Sequence, residues 1–319
     1  MDRERRAFLL AASTLAAATA VFKASAREVA SAPSIASESL PLPKNVASRF
    51  LRVNDINMHY ATVGSGPAVV LLHGWPQTWF AWRNVMEGLS SRFTLIAPDL
   101  RGLGLSERTA AGYDKKTIAS DVRALIDAVA AGRAHVVGHD MGGKAAFTLA
   151  NLNPDKIEKL VLVDCLIPGT ENMDASRGGA WHYGFHMAPD FPEMLTKGRE
   201  RDYIASQIRA WSHRKDAIGE AEISEYARYY ATDGGMTAGF NYYRALREDA
   251  ALLASFAEKP VSMPVLTLAG RYGVGEKLAA GLQGRAVNLT SLIAEDSGHF
   301  IAEEAPDYFC EKVGQFLAS

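Results

Sequence analysis

Residues 138–143 read Gly-His-Asp-Met-Gly-Gly and stand between a β-branched apolar run and a run with helical spacing. Small residues on both sides of Asp140 suit the sharp strand-to-helix turn that lifts one side chain into a site. Such a turn often carries serine; here it carries a carboxylate. Attack by a carboxylate on an acyl carbon would give an anhydride. Attack on an sp³ carbon gives an ordinary ester, provided the leaving group is stabilised. Epoxides and alkyl halides are the electrophiles that fit. An Asp that merely caps a helix would account for the carboxylate but not for the flanking glycines.

Two further segments belong to the same chemistry. His73-Gly74-Trp75-Pro76 follows the run AVVLL, and the backbone N–H groups of Trp75 and Met141 suit an oxyanion hole for hydrolysis of that ester. His73 and His139 read as structural histidines that orient these loops. Ser297-Gly298-His299-Phe300 precedes the C-terminal helical run, and a late histidine fits the chain order nucleophile, acid, histidine. His299 is the expected base that activates water. Its acid is expected to be Asp164, which closes Val161-Leu162-Val163 and lies 24 residues after Asp140; Glu276, beyond Gly270-Arg271-Tyr272-Gly273, is the alternative. Ser106 and Ser297 do not sit in a turn of this kind, so a serine nucleophile does not fit.

These segments need a frame. Residues 68–72, 93–97, 134–138, 159–163 and 265–268 are short, unbroken and β-branched, the pattern of parallel strands buried on both faces. Residues 117–131 and 141–152 repeat apolar residues at helical spacing. A hairpin over residues 49–62, turning at Asn54-Asp55, precedes them. The fold class is α/β: a mostly parallel central sheet with helices on both faces. The pattern lapses over residues 170–255, which are helix-like and aromatic-rich, and returns near Met263. That block reads as an inserted helical cap. The core is then 48–169 and 256–319.

The chain has 319 residues, 48% of them hydrophobic and 22% charged, with a net charge of -2, so no basic footprint marks a nucleic-acid partner. Two cysteines, Cys165 and Cys310, cannot build a disulfide framework or a cysteine zinc site and are expected to be buried thiols. Residues 1–26 join a basic DRERR segment, an apolar stretch and Ala24-Ser25-Ala26, which is the pattern of a signal peptide. Arg5-Arg6-Ala7-Phe8-Leu9 is similar to a twin-arginine export signal. Residues 27–47 read as a linker. The expected location is periplasmic or extracellular in a bacterium, with no membrane attachment after cleavage. A homodimer is compatible with the sequence.

The chain from about Phe50 onward resembles the α/β-hydrolase superfamily, and within it the epoxide hydrolases. The resemblance rests on HGWPQTWFAW (73–82), PDLRGLGLSE (98–107), GHDMGG (138–143), GAWHYGFH (179–186), FNYYRAL (240–246) and SGHF (297–300). The last four motifs and the leader are most similar to the secreted Cif-like epoxide hydrolases. The resemblance implies two cap donors for the opening oxygen: Tyr243 from FNYYRAL and His182 from WHYGF. Trp181, Phe185 and Tyr242 are then expected to fill the cap core. Two features depart from the Cif-like pattern: Asp164 stands where that group has Glu, and the Cys pair flanking its histidine is absent. The implied reaction converts an epoxide to a vicinal diol through an aspartyl ester and requires no metal or organic cofactor. A haloalkane or haloacid dehalogenase of the same fold is the alternative, with Trp181 available to a halide. Yet Trp75, Met141 and Lys144 stand where such enzymes carry halide or carboxylate donors. A non-catalytic exported ligand-binding protein is a further alternative, opposed by the intact Asp140, Asp164, His299, His182 and Tyr243 set.

Overall fold

The computed structural model describes Leu40 and residues 42–319. The expected leader over 1–26 and most of the linker over 27–47 lie outside the described residues. Strand-forming sequence builds one eight-stranded sheet from β1 (Ala47–Val53), β2 (Ile56–Val63), β3 (Ala68–Leu72), β4 (Thr94–Pro98), β5 (Ala134–His139), β6 (Ile157–Val163), β7 (Val261–Gly270) and β8 (Ala286–Ala294). Their order across the sheet is β1-β2-β4-β3-β5-β6-β7-β8. Pairs β1–β2 and β2–β4 are antiparallel; β4–β3, β3–β5 and every pair onward to β8 are parallel. The unbroken apolar runs of β3, β5 and β6 are buried almost throughout, as a sheet covered on both faces requires.

The core helices are α1 (Arg83–Leu89), α2 (Lys115–Val129) and α3 (Met141–Leu152). Between β6 and β7 the chain forms α4 (Trp181–Met187), α5 (Phe191–Thr196), α6 (Glu200–Trp211), α7 (Glu220–Tyr230), α8 (Gly235–Arg244) and α9 (Leu246–Ala254), the helical cap. The core closes with α10 (Lys277–Gly281), α11 (Ile301–Glu304) and α12 (Pro306–Ala318). Helix α2 packs beside α3, and α1 beside α12. Asp114 caps α2 by accepting the backbone N–H of Thr117 at 2.9 Å.

Buried polar links fasten cap to core. Lys115, at the start of α2, pairs with Asp249 of α9 at 3.1 Å, with both side chains out of solvent. The Tyr242 hydroxyl donates to the Arg101 carbonyl at 2.8 Å. A buried pair of this kind is costly to break on one side only, because the remaining charge is stranded.

Strand β8 has no counterpart in the hydrophobic pattern. It is an edge strand, exposed or half-exposed at every position but the last, so AVNLTSLIA never becomes an apolar run. Trp181 also departs from expectation. It is 58% exposed rather than part of the cap core, because it opens α4 on the outer side. Cys165 is buried as expected, whereas Cys310 is only half-buried on the solvent-facing helix α12.

Candidate active site

Asp140 occupies the turn between β5 and α3 with φ 49° and ψ −117°, a conformation few non-glycine residues adopt. Close packing holds it there. A Cβ on Gly142 would stand 2.4 Å from the carbonyl oxygens of Leu72 and His73, and one on Gly74 would stand 2.4 Å from the Asp140 Cβ. Only hydrogen at these two positions lets the β3 loop and the α3 turn meet. The backbone N–H of Trp75 donates to Asp140 Oδ1 at 2.9 Å. Met141 is buried in the first turn of α3, where backbone N–H groups lack an intrahelical partner.

Asp164 follows β6 directly, with φ 37°, and is fully buried. Its carboxylate accepts the N–H groups of Gly270 at 2.8 Å and Val274 at 3.1 Å, and it meets His299 Nδ1 at 2.6 Å. This leaves His299 Nε2 without a protein partner among the described residues, 3.9 Å from Asp140 Oδ2. Glu276, the alternative acid, does not enter the site. Its side chain is 86% exposed and lies 3.7 Å from Arg271, because the β7–α10 loop points it outward while the turn after β6 points Asp164 inward.

The other histidines are structural. His73 Nδ1 donates to the Gly74 carbonyl at 3.1 Å and its Nε2 accepts the Leu100 N–H at 3.1 Å, which fixes a neutral tautomer in the β3 loop. His139 Nε2 donates to the His299 carbonyl at 2.9 Å, and burial lowers its pKa to about 3.

From the cap, α4 supplies His182 and α8 supplies Tyr243, and both line one cavity of about 270 Å³ with Asp140, Asp164 and His299. The ring centroids of His182 and Tyr243 lie 5.7 Å apart. Gly239 lets α8 lie directly against the Trp75 ring, which a Cβ there would enter. That contact sets the depth of Tyr243, whose ring packs edge-on to Trp75 at 6.2 Å.

The electrostatics follow the geometry. Burial opposes ionisation of Asp140, but His299, His139, Lys144 and the Trp75 N–H together hold it below the ordinary carboxylate range. Burial likewise opposes protonation of His299, but the bond and charge of Asp164, and then Asp140, outweigh it and raise its pKa. Burial lowers the His182 pKa to about 4 and drives that of Tyr243 well above the usual phenol value. At neutral pH both cap groups are therefore neutral N–H or O–H donors, facing a carboxylate.

Two cavity residues carry no recognisable sequence signal. Trp211 closes α6; its carbonyl accepts the His299 N–H at 3.0 Å, and its ring lies 4.8 Å from His182. Tyr183 lines the cavity beside His182, but in the aromatic string WHYGFH nothing separates cavity-facing from core-facing positions. Among the described residues no cluster of His, Cys, Asp and Glu is placed to hold a metal ion, and no helix is long and apolar enough to cross a membrane.

A parallel sheet with a carboxylate in the turn after β5, a histidine–acid pair at the strand ends and a helical cap defines a class. Residues 67–306 match the alpha/beta hydrolase fold family, and the chain belongs to that family. It is a hydrolase, and epoxide hydrolases stand among its relatives. It is 36% identical to the soluble epoxide hydrolase of Corynebacterium sp. (strain C12), over 83% of this chain and 95% of that one. It is 28% identical to a fluoroacetate dehalogenase of Burkholderia sp., over 85% and 93% of the two chains. The crystal structure of the Cif epoxide hydrolase from Acinetobacter nosocomialis superposes with a TM-score of 0.80 at 25% identity, covering 87% of this chain and 90% of that one.

Proposed function

We propose that this protein hydrolyses an epoxide to a vicinal diol through an ester of Asp140. One arrangement carries the reading: an ionised Asp140 shares a small cavity with two neutral cap donors and with a histidine–carboxylate pair. In the first step an Asp140 oxygen attacks a ring carbon in line. The C–O bond breaks, and Tyr243 and His182 donate hydrogen bonds that strengthen as charge builds on the leaving oxygen. In the second step His299 takes a proton from water, which attacks Asp140 Cγ. The Trp75 and Met141 N–H groups receive the charge on the tetrahedral oxygen. Collapse of that intermediate breaks the ester C–O bond, and the imidazolium of His299 returns its proton to the departing oxygen. The second water proton passes to the opened ring oxygen held by Tyr243 and His182, and the diol leaves with the Asp140 carboxylate restored.

Ester formation also prepares the base. It neutralises an anion 3.9 Å from His299 Nε2, which removes one of the interactions that favour the imidazolium. His299 is thereby more fully neutral, and so available to take a proton from water, in the intermediate than in the free enzyme.

Dehalogenation is the second reading, favoured by the fluoroacetate dehalogenase relative. The cavity lining weighs against a haloacid: it contains no lysine or arginine to hold a carboxylate, and Lys144 turns instead to Glu171 and the Leu166 carbonyl. Trp181, on the outer side of α4, is not part of the lining. Epibromohydrin, which carries both an epoxide and a C–Br bond, decides between the two. Bromodiol without early bromide, absent in Asp140→Ala, is the expected result; bromide released ahead of diol would overturn it.

Export through the twin-arginine route belongs to the same proposal. The exported protein should begin at Arg27, and changing Arg5 and Arg6 to Lys should retain the precursor in the cytoplasm. Normal export of that double variant would sink the idea.

A further inference from the structure

The cavity holds a third polar group that the two steps leave unused. Tyr183 follows His182 on α4 and lines the same space, with its ring 4.6 Å from His182 and 5.6 Å from Tyr243. Neighbouring cap tyrosines spend their hydroxyls on protein: Tyr203 on His186 at 2.6 Å, Tyr230 on the Gln77 carbonyl at 3.0 Å and Tyr242 on the Arg101 carbonyl at 2.8 Å. The Tyr183 hydroxyl has no such partner among the described residues, yet it is not among the buried polar atoms sealed from solvent. A buried phenol normally finds a partner, so a cavity-facing one without a partner is a place for a ligand atom.

Its electrostatic surroundings differ from those of the two ring-opening donors. Once burial is set aside, Asp140 is the foremost charge acting on His182 and on Tyr243. For Tyr183, Lys144 and Glu171 come before Asp140. The Lys144–Glu171 pair backs the same cavity wall: Leu166 lines the cavity, and its carbonyl accepts from Lys144 Nζ at 2.5 Å. That pair is internally satisfied, so the wall offers hydrogen bonding without net charge. A neutral hydroxyl on the substrate fits it better than a carboxylate. The cavity of about 270 Å³ has room for a small molecule.

We propose that Tyr183 is a specificity-determining residue that hydrogen-bonds a second oxygen of the substrate, so that the enzyme prefers small epoxides bearing an adjacent hydroxyl over epoxides of plain hydrocarbons. The inference rests on the epoxide hydrolase reading. A site built to hydrogen-bond a hydroxyl penalises the analogue that lacks it, because its own polar group is left unpaired.

Glycidol and 1,2-epoxybutane form the matched pair, since a hydroxyl in one replaces a methyl in the other. The full chain should show a kcat/KM for glycidol about tenfold above that for 1,2-epoxybutane. Tyr183→Phe should lower the glycidol value about five- to tenfold and leave the 1,2-epoxybutane value within about twofold, which also shows that the variant folds. A wild-type ratio at or below one would overturn the proposal without reference to any variant. An equal loss on both substrates would make Tyr183 a donor to the ring oxygen and overturn it as well. Turnover of neither epoxide by the wild type would remove the epoxide hydrolase reading itself, and this inference with it.

Discussion

His299 Nδ1 and Asp164 Oδ2 stand 2.6 Å apart although 135 residues separate them in the chain. The contact fixes which imidazole nitrogen faces the nucleophile, since Asp164 holds the proton side and Nε2 is left toward Asp140. Asp164 is itself held by two backbone N–H groups, so its carboxylate cannot rotate away to suit another partner. Asp164→Asn should slow ester hydrolysis by roughly 10²–10⁴ while leaving ester formation in place. Rapid-quench measurement of the two steps checks this; equal loss in both would remove the acid role.

His299→Gln should retain ester formation and lose its resolution. With an epoxide in excess, intact-protein mass spectrometry should show a stable gain of one substrate mass, absent from the Asp140→Ala, His299→Gln double variant. An inactive His299→Gln with no added mass would count against the two-step course.

The two steps should differ in pH dependence. Ester formation needs Asp140 ionised, and its pKa is held below the ordinary carboxylate value. It also needs His182 neutral, above about 4, and Tyr243 protonated, far into the alkaline range. The single-turnover rate of ester formation should therefore stay flat from about pH 5 to about pH 9. Ester hydrolysis needs His299 neutral and should fall on the acid side. An acid limb near neutrality in the first step would show that a different group controls ring opening.

Removing the Asp140 charge should lower the His299 pKa. In Asp140→Asn the imidazole loses a carboxylate 3.9 Å from Nε2 while keeping Asp164. Imidazole NMR titration of the wild type and the variant reads the shift directly. An unchanged value would mean that Asp164 alone sets it.

Lys144 and Glu171 form a buried pair between α3 and the segment leading from β6 into the cap, with side-chain exposures of 1% and 0%. Lys144→Met would strand the carboxylate and should destabilise the fold by about 3–5 kcal/mol. The double change Lys144→Met, Glu171→Gln should recover part of that loss. Thermal unfolding of the three proteins is the measurement, and a single variant as stable as wild type would deny the pair its role.

Periodicity and turn chemistry were enough to read the frame. Strand β3 and helix α3 are bounded as their residues predict, because a doubly buried strand shows as an unbroken apolar run and the helix is opened by the glycine-flanked turn of Asp140 and closed at Asn153-Pro154. The turn of Asp140 was equally legible, since its glycines are local steric requirements. Strand β8 was not, because an edge strand half in solvent has no apolar run to show.

Two choices lay beyond the sequence. Asp164 and Glu276 were both available to His299, and only the direction of two turns brought one to 2.6 Å and left the other exposed. Likewise, the aromatic residues of WHYGFH look alike in one dimension. Tertiary packing turned Trp181 outward and lined the cavity with His182 and Tyr183, because the face a cap helix presents to the core depends on contacts such as Gly239 on Trp75, many residues away. Local spacing determines which residues can do chemistry; which of them share a cavity is settled by long-range packing that no local pattern encodes.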